Sequence, residues 1–378
     1  MADGKKKSKE FDFSRYPERR IALLFLYFGW EHDGLVTQPN MPNTVEEVLL
    51  NALIRTKLIR SRDCGLNRCG RTDKGVSGFR QVCSLIVRST DINGEGLYWK
   101  EESARMPRIV STKELDYVKI LNAVLPASIR VLAWSPCLMD FNARFNCSKR
   151  YYTYVFPKNG FDIEKMKIAA SYLVGSHDFR NFCRIDNNKA RLETSYVREI
   201  FEMDIKAICG EPDGPYKMYQ LSVSGSGFLW HMVRCVVGVL FEVGLQHEEP
   251  SVVKELLDIE NCSARPQYQL AKDTPLCFFD CNYNQPLEWK FDVEALRKVF
   301  CSLEKSWIDL KVKCDMIRAM MNEISGMIPD GNHNAMEEYI RDAPIPKKVV
   351  PMMKRPRCES LAARKEKMDN KKSKMGLE

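Results

Sequence analysis

The sequence has no apolar run of the roughly 18 residues that would cross a membrane as a helix. Its longest, Phe228 to Gly244, is broken by His231 and Arg234. None of its fourteen cysteines forms a C-x-x-C pair. The closest spacings, Cys64/Cys69 and Cys277/Cys281, have no histidine at zinc-finger distance, and the five histidines are scattered. No metal site is expected. The lysine-rich start "MADGKKKSKEF" lacks the apolar stretch of a secretory signal. A P-loop is missing too: "GRTDKG" (70–75) has its outline, but Val76 stands where the phosphate-binding lysine is required. These absences argue against membrane, secreted and nucleotide-hydrolysing classes. They leave an intracellular protein with reduced thiols, in the nucleus, the cytoplasm or both.

Charge is also scarce outside one segment. Of a net +8, the stretch Ile345 to Glu378 holds eight lysines and three arginines against four acids, leaving the rest of the chain at about +1. A basic tail on a near-neutral body is either a solvated tail or a local patch for a polyanion. Composition favours the first.

What is present is a chain of 378 residues with 44% hydrophobic content, enough for about two domains. "IALLFLYFGW" (21–30) has strand length and composition. "PNTVEEVLLNALIRTKLI" (42–59) reads as a helix, with Thr44 and Glu47 placed as a capping box. "KELDYVKILNAVLP" (113–126) and "DIEKMKIAASYLVG" (162–175) are further helices, and "IRVLAWSPC" (129–137), "RYYTYVF" (150–156) and "TPLCFFDCNY" (274–283) further strands. Strand, helix, strand, helix, strand recurs in both halves. Half-buried alternation in several strands favours a mixed, mostly antiparallel sheet with helices on one face, an α+β fold. The expected divisions are a flexible segment 1–19, two subdomains over 20–145 and 146–285, and a helical extension with its basic tail over 286–378.

Two places demand more than packing. In "FLWHMVRCVVGVLFEVG" (228–244), helical spacing gathers His231, Arg234, Gly238 and Glu242 on one side of an otherwise apolar helix. Such a helix is buried, and a buried arginine needs an anion. That anion is either Glu242, as a structural pair, or a functional carboxylate or phosphate. In "RCGRTDKGVSGFRQVCSL" (68–85), Arg71, Asp73 and Lys74 lie among Gly70, Gly75 and Gly78 just before a strand. A turn needs the glycine and tolerates the aspartate. It does not need the arginine and lysine as well.

Together "GRTDKGVS" (70–77), "FNARFNCSKRYYTY" (141–154), "HDFRNF" (177–182), "FLWHMVRCVVGVLFEVG" (228–244) and "PLCFFDC" (275–281) resemble the TruA family of tRNA pseudouridine synthases, in the family's order. "FSRYP" (13–17), "TVEEVL" (44–49), "RCGRTDKGVS" (68–77) and "KRPRCESL" (354–361) resemble its eukaryotic Deg1-type branch, which acts on positions 38 and 39 of the anticodon stem-loop. Gly78 departs from a usual alanine, and Arg80 from a usual small residue. The resemblance implies two related α/β subdomains sharing the sheet, with the active-site cleft on the face away from the helices. It makes Asp73 the ionised nucleophile, Arg234 its basic partner and Tyr152 the active-site tyrosine. Leu276 floors the uracil pocket, Arg71 is a phosphate or base-flipping contact, and Lys74 meets RNA phosphate. Read as a cross-strand packing role, the other tyrosines of the strand, Tyr151 and Tyr154, are expected on the face opposite Tyr152. His177 and Asp178 receive no catalytic role. The resemblance further implies tRNA as partner, no cofactor, no membrane, and a homodimer. The alternative is a tRNA-binding protein or RNA chaperone on the same fold that has lost its chemistry.

Overall fold

The apolar run read as the first strand extends over Glu18–Tyr27 and lies between two partners in a sheet. In the computed structural model, residues 11–100, 108–185, 192–210, 213–328, 339–340 and 348–375 are described. The strands are β1 Glu18–Tyr27, β2 Asn67–Arg68, β3 Ser77–Arg88, β4 Leu97–Tyr98, β5 Ile129–Pro136, β6 Cys147–Pro157, β7 Gly175–Asp178, β8 Val197–Ala207, β9 Met218–Gly225, β10 Leu276–Tyr283 and β11 Lys290–Phe291. The helices are α1 Val45–Arg55, α2 Tyr117–Asn122, α3 Ile163–Ser171, α4 Met232–Gly244, α5 Val252–Leu257, α6 Val293–Met327 and α7 Leu361–Met375. The chain divides into two units, one of Met1–Ser148 with Cys281–Asn322, the other of Lys149–Asp280 with Glu323–Glu378. None of the described helices is long and apolar enough to cross a membrane.

The first unit orders its strands β11-β5-β1-β3, with β2 against β3 and β4 against β1, all antiparallel. Strand period puts Ile21, Leu23, Phe25 and Tyr27 on one face of β1. They share a core with Leu49 and Leu53 of α1 and Tyr117 and Leu121 of α2. Ala22, Leu24 and Leu26 are buried as well, so β1 reads as a continuous apolar run rather than an alternating one. Thr44 caps α1 by accepting from the Glu47 amide at 3.3 Å. The second half of the expected capping box is absent, because the Glu47 carboxylate is taken by both terminal nitrogens of Arg62.

Arg19, at the start of β1, is buried in an ion network. Its Nε lies 2.9 Å from Glu114 and its Nη2 3.4 Å from Asp91, and Nη2 also donates to the Asn93 carbonyl at 2.6 Å. Arg19→Met would take the buried counter-charge from Glu114 and Asp91, leaving them only their neutral hydrogen bonds. We expect a loss of about 3–5 kcal/mol, read as a lower midpoint in urea; an unchanged midpoint would show the network to be solvated and neutral to stability.

The second unit orders its strands β10-β6-β9-β8-β7, with antiparallel registers along β6-β9, β9-β8 and β8-β7. All thirteen residues of α4 are buried. It packs so closely on α3 that a Cβ on Gly244 would fall 2.6 Å from the Met166 sulfur. The tail is partly folded rather than wholly solvated. Met352 and Leu361 are buried, Arg355 bonds to Glu242 at 2.8 Å, and α7 follows.

Candidate active site

The first unit builds the Asp73 turn from backbone outward. Asp73 offers its carbonyl to the Val76 amide at 3.2 Å, and Gly75 adopts φ +82° at the third position of that turn. Such a turn needs positive φ there, so the glycine is a conformational requirement. Upstream, the fully buried Gln81 side chain holds Gly70 from both sides, accepting from its amide at 3.3 Å and donating to its carbonyl at 3.1 Å. Thr72 is pinned by the Tyr27 hydroxyl at 2.7 Å, and its carbonyl accepts from Leu35 at 3.2 Å. Downstream, a Cβ on Gly78 would lie 2.6 Å from the Tyr27 ring. The departure to glycine at 78 therefore makes room for the tyrosine that steadies Thr72. Asp73 emerges half-buried from this frame, with Arg71 and Lys74 exposed beside it. Lys74 pairs with Asp33 at 2.8 Å, an exposed contact that phosphate can replace at little cost.

The second unit carries the other three residues. Tyr152 on β6 is buried between Phe228 and Phe278, edge-to-face to each at 5.0 and 5.3 Å. Tyr154 follows on the same face by strand period and packs on Phe241 of α4. The expectation that Tyr152 stands opposite both neighbours is corrected: only Tyr151, half-buried under the Lys149 ammonium, takes the other face. Leu276 is buried at the start of β10.

Arg234 is 5% exposed, in the first turn of α4. The helix starts later than its apolar pattern suggests, because His231 takes a left-handed φ of +59° and the Met232 amide closes a turn onto the Leu229 carbonyl at 3.1 Å. The Arg234 Nε donates to the Ala271 carbonyl at 2.7 Å, and the Ala271 amide returns a bond to the Arg234 carbonyl at 3.2 Å. Gly238 allows that clamp: a Cβ there would lie 2.4 Å from the Gln269 carbonyl oxygen. Glu242, the structural alternative, is engaged by Arg355 at 2.8 Å and by His247 at 3.5 Å.

Similarity to characterised proteins covers nearly the whole chain. A Caenorhabditis elegans protein described as a probable tRNA pseudouridine synthase, tag-124, is 45% identical over 376 residues, 97% of this chain and 94% of its own. The chain belongs to the tRNA pseudouridine synthase family. The human tRNA pseudouridine(38/39) synthase is 36% identical over 95% of this chain and 78% of its own length. Its Saccharomyces cerevisiae counterpart is 38% identical over 89% and 73%. The family model for tRNA pseudouridine synthase matches residues 169–284, the span that holds Arg234 and Leu276.

Residues with no motif of their own support this candidate site. Gln81, Tyr27 and the 269–271 segment look in sequence like ordinary core and loop. A cysteine cluster escaped notice because its members are far apart in the chain. The sulfurs of Cys69, Cys147 and Cys281 lie within 4.8 Å of one another. Hydrogen bonding to Cys147 and Cys69, and then burial, pushes the Cys281 thiol far above its usual range. By donor type three sulfurs suit a soft ion, but they supply only three of the four ligands a structural zinc takes.

Proposed function

We propose that the protein isomerises uridine to pseudouridine in tRNA, at positions 38 and 39 of the anticodon stem-loop. The reading rests above all on the Asp73 turn, held in place by bonds from both sides, in a chain that matches the human and yeast (38/39) synthases over most of its length. The reaction breaks the bond between ribose C1′ and uracil N1, turns the base, and joins C1′ to C5. The C5 proton is lost and N1 gains one, so the change is redox-neutral and uses no cofactor. Asp73 attacks or stabilises the electron-poor C1′, and Arg234 is the site's basic residue. Tyr152 stacks on the detached uracil and, in a glycal route, moves a proton at C2′. Leu276 floors the base. Arg71 and Lys74 hold phosphate while the nucleotide leaves its stack. Residues 20–145 thus bring the nucleophile, and 146–285 bring Tyr152, Arg234 and Leu276. Mapping pseudouridine in tRNA from cells lacking the protein tests the substrate. Loss at positions 38 and 39 is expected; unchanged modification there would overturn the assignment.

A homodimer is part of the proposal. Along α6, Val293, Phe300, Trp307, Cys314 and Met321 recur every seven residues, with Leu296, Leu303, Leu310, Ile317 and Ile324 between them. This is the a/d pattern of a coiled coil. Val299 is the only buried residue of the helix; Trp307 is 64% and Leu310 61% exposed. An apolar stripe of about 50 Å facing water marks an interaction surface, and its self-complementary heptads suit a second copy. The double variant Leu310→Glu with Ile317→Glu is expected to sediment as a monomer where the parent sediments as a dimer; a monomeric parent would refute the dimer. A location in the nucleus, the cytoplasm or both completes the reading. Its supports, "KKKSK" (5–9) and the side chains of "KKSK" (371–374), lie outside the described residues.

A further inference from the structure

The "HDFRNF" and "KRPRCESL" motifs have no part in the chemistry above, yet the second unit brings them to one cavity. It encloses about 300 Å³, the size of a small-ligand site. Arg180, Arg184, Arg265, Arg364 and Trp230 line it, with Glu359 as its one lining carboxylate. The charges do not cancel. Arg180 is held by Asp178 at 2.7 Å. Glu359 is shared between Lys367 at 2.7 Å and Arg364 at 3.9 Å. Arg184 and Arg265 have no carboxylate partner among the described residues. Arg265 is instead propped by the Tyr268 ring at 4.7 Å and by Cys235 at 3.3 Å. The Arg184 amide donates to the Trp230 carbonyl at 3.0 Å, tying the exposed arginine to an indole that is 42% exposed.

Guanidinium groups gathered without counter-charge repel one another, so the arrangement favours an anion. Beside them stands a partly exposed aromatic plane. Phosphate-binding arginines with a stacking ring make the pairing by which proteins hold an unstacked nucleotide. Three residues lie between Trp230 and Arg234, so this lining residue sits at the same end of α4 as that arginine.

We propose that this cavity is a second nucleotide subsite, which takes one unpaired, unstacked nucleotide of the tRNA other than the target uridine. Its phosphate lies on Arg184 and Arg265, and its base stacks on Trp230. The inference rests on tRNA being the substrate. The subsite supplies affinity and register, not chemistry. Arg184 and Trp230 are positioning residues, and their loss should appear in tRNA binding and KM while kcat at saturating tRNA is kept.

The test uses the full chain and a tRNA transcript bearing uridine at 38 and 39. Arg184→Glu should raise the tRNA Kd about tenfold and reduce the salt dependence of binding by about one ion. Arg184→Gln should show a smaller shift in the same direction. Trp230→Ala should weaken binding by about 5- to 150-fold, and Trp230→Phe should stay within about threefold. Lys206→Glu, the same charge reversal on exposed β8 of this unit, should change Kd less than twofold. Ultraviolet cross-linking should place a nucleotide on the peptide carrying Trp230. If Arg184→Glu and Trp230→Ala keep the parental Kd and salt slope, or if only free mononucleotide and not tRNA competes for the cavity, the subsite is wrong. A parent that makes no pseudouridine in this transcript would instead sink the activity on which it rests.

Discussion

Asp73→Asn is expected to leave a folded protein that binds tRNA as the parent does and makes no pseudouridine. The substitution exchanges one carboxylate oxygen for an amide nitrogen and keeps the side chain's shape. The turn is closed by the Asp73 carbonyl, the positive φ of Gly75 and the Gln81 clamp on Gly70, all of which asparagine keeps. The chemistry does depend on it. A neutral amide neither attacks C1′ nor offsets its positive charge. Nucleophile replacements in enzymes cost about 10⁴-fold or more in turnover, so single-turnover formation should fall by at least about that factor. Thermal midpoint and tRNA Kd should match the parent. Residual turnover within about tenfold would remove Asp73 from the nucleophile's role and revive the reading of a binding protein that carries an idle aspartate.

The same frame shows what sequence can and cannot reveal. Composition and period find the strands with strong apolar runs, such as β1 and β3, because burial writes itself into those residues. They miss β7 and β8. In "VREIFEMDIKA", charged residues alternate with apolar ones, and of the eleven only Ile200 and Ile205 are buried, so the strand forms from ladder bonds to β9 more than from side-chain burial. The polar stripe of α4 is legible, but its meaning is not. Gly238 reads as a helix defect, yet it is where the Gln269 carbonyl approaches. The match of Glu242 with Arg355, over a hundred residues away, follows from tertiary packing and carries no local signal. Nor does the gathering of Cys69, Cys147 and Cys281, since sequence spacing announces a cluster only when its ligands are neighbours in the chain. Asp73, Arg234 and Tyr152 could be picked out by resemblance because they stand inside the motifs that carry it. Of the residues around them, Ala271 acts through its backbone carbonyl, while Gln81 and Tyr27 act through side-chain bonds to partners apart from them in the chain, and none of these carries a local sequence signal.

Arg234 carries the second large effect, and three substitutions separate charge from geometry. Its Nε is committed to the Ala271 carbonyl, and this bond sets the plane of the guanidinium. Lysine keeps a positive charge but has no nitrogen at that point of the chain and no planar fork. Arg234→Lys should therefore lower the single-turnover rate about 10²–10³-fold, the loss that follows removal of one preorganised donor, with tRNA Kd within about threefold. Arg234→Met also leaves the buried Ala271 carbonyl without its donor, and should cost a further 1–3 kcal/mol or so of stability in urea. Glu242→Gln supplies the contrast. If Arg234 served a structural pair with Glu242, this change would reproduce the kinetic loss. Because Arg355 holds that carboxylate, Glu242→Gln should loosen the tail and lower the melting midpoint while the rate of isomerisation stays within about twofold. A lysine at 234 that turns over at the parental rate would mean that position needs only charge, and the Ala271 clamp would then be packing without catalytic consequence.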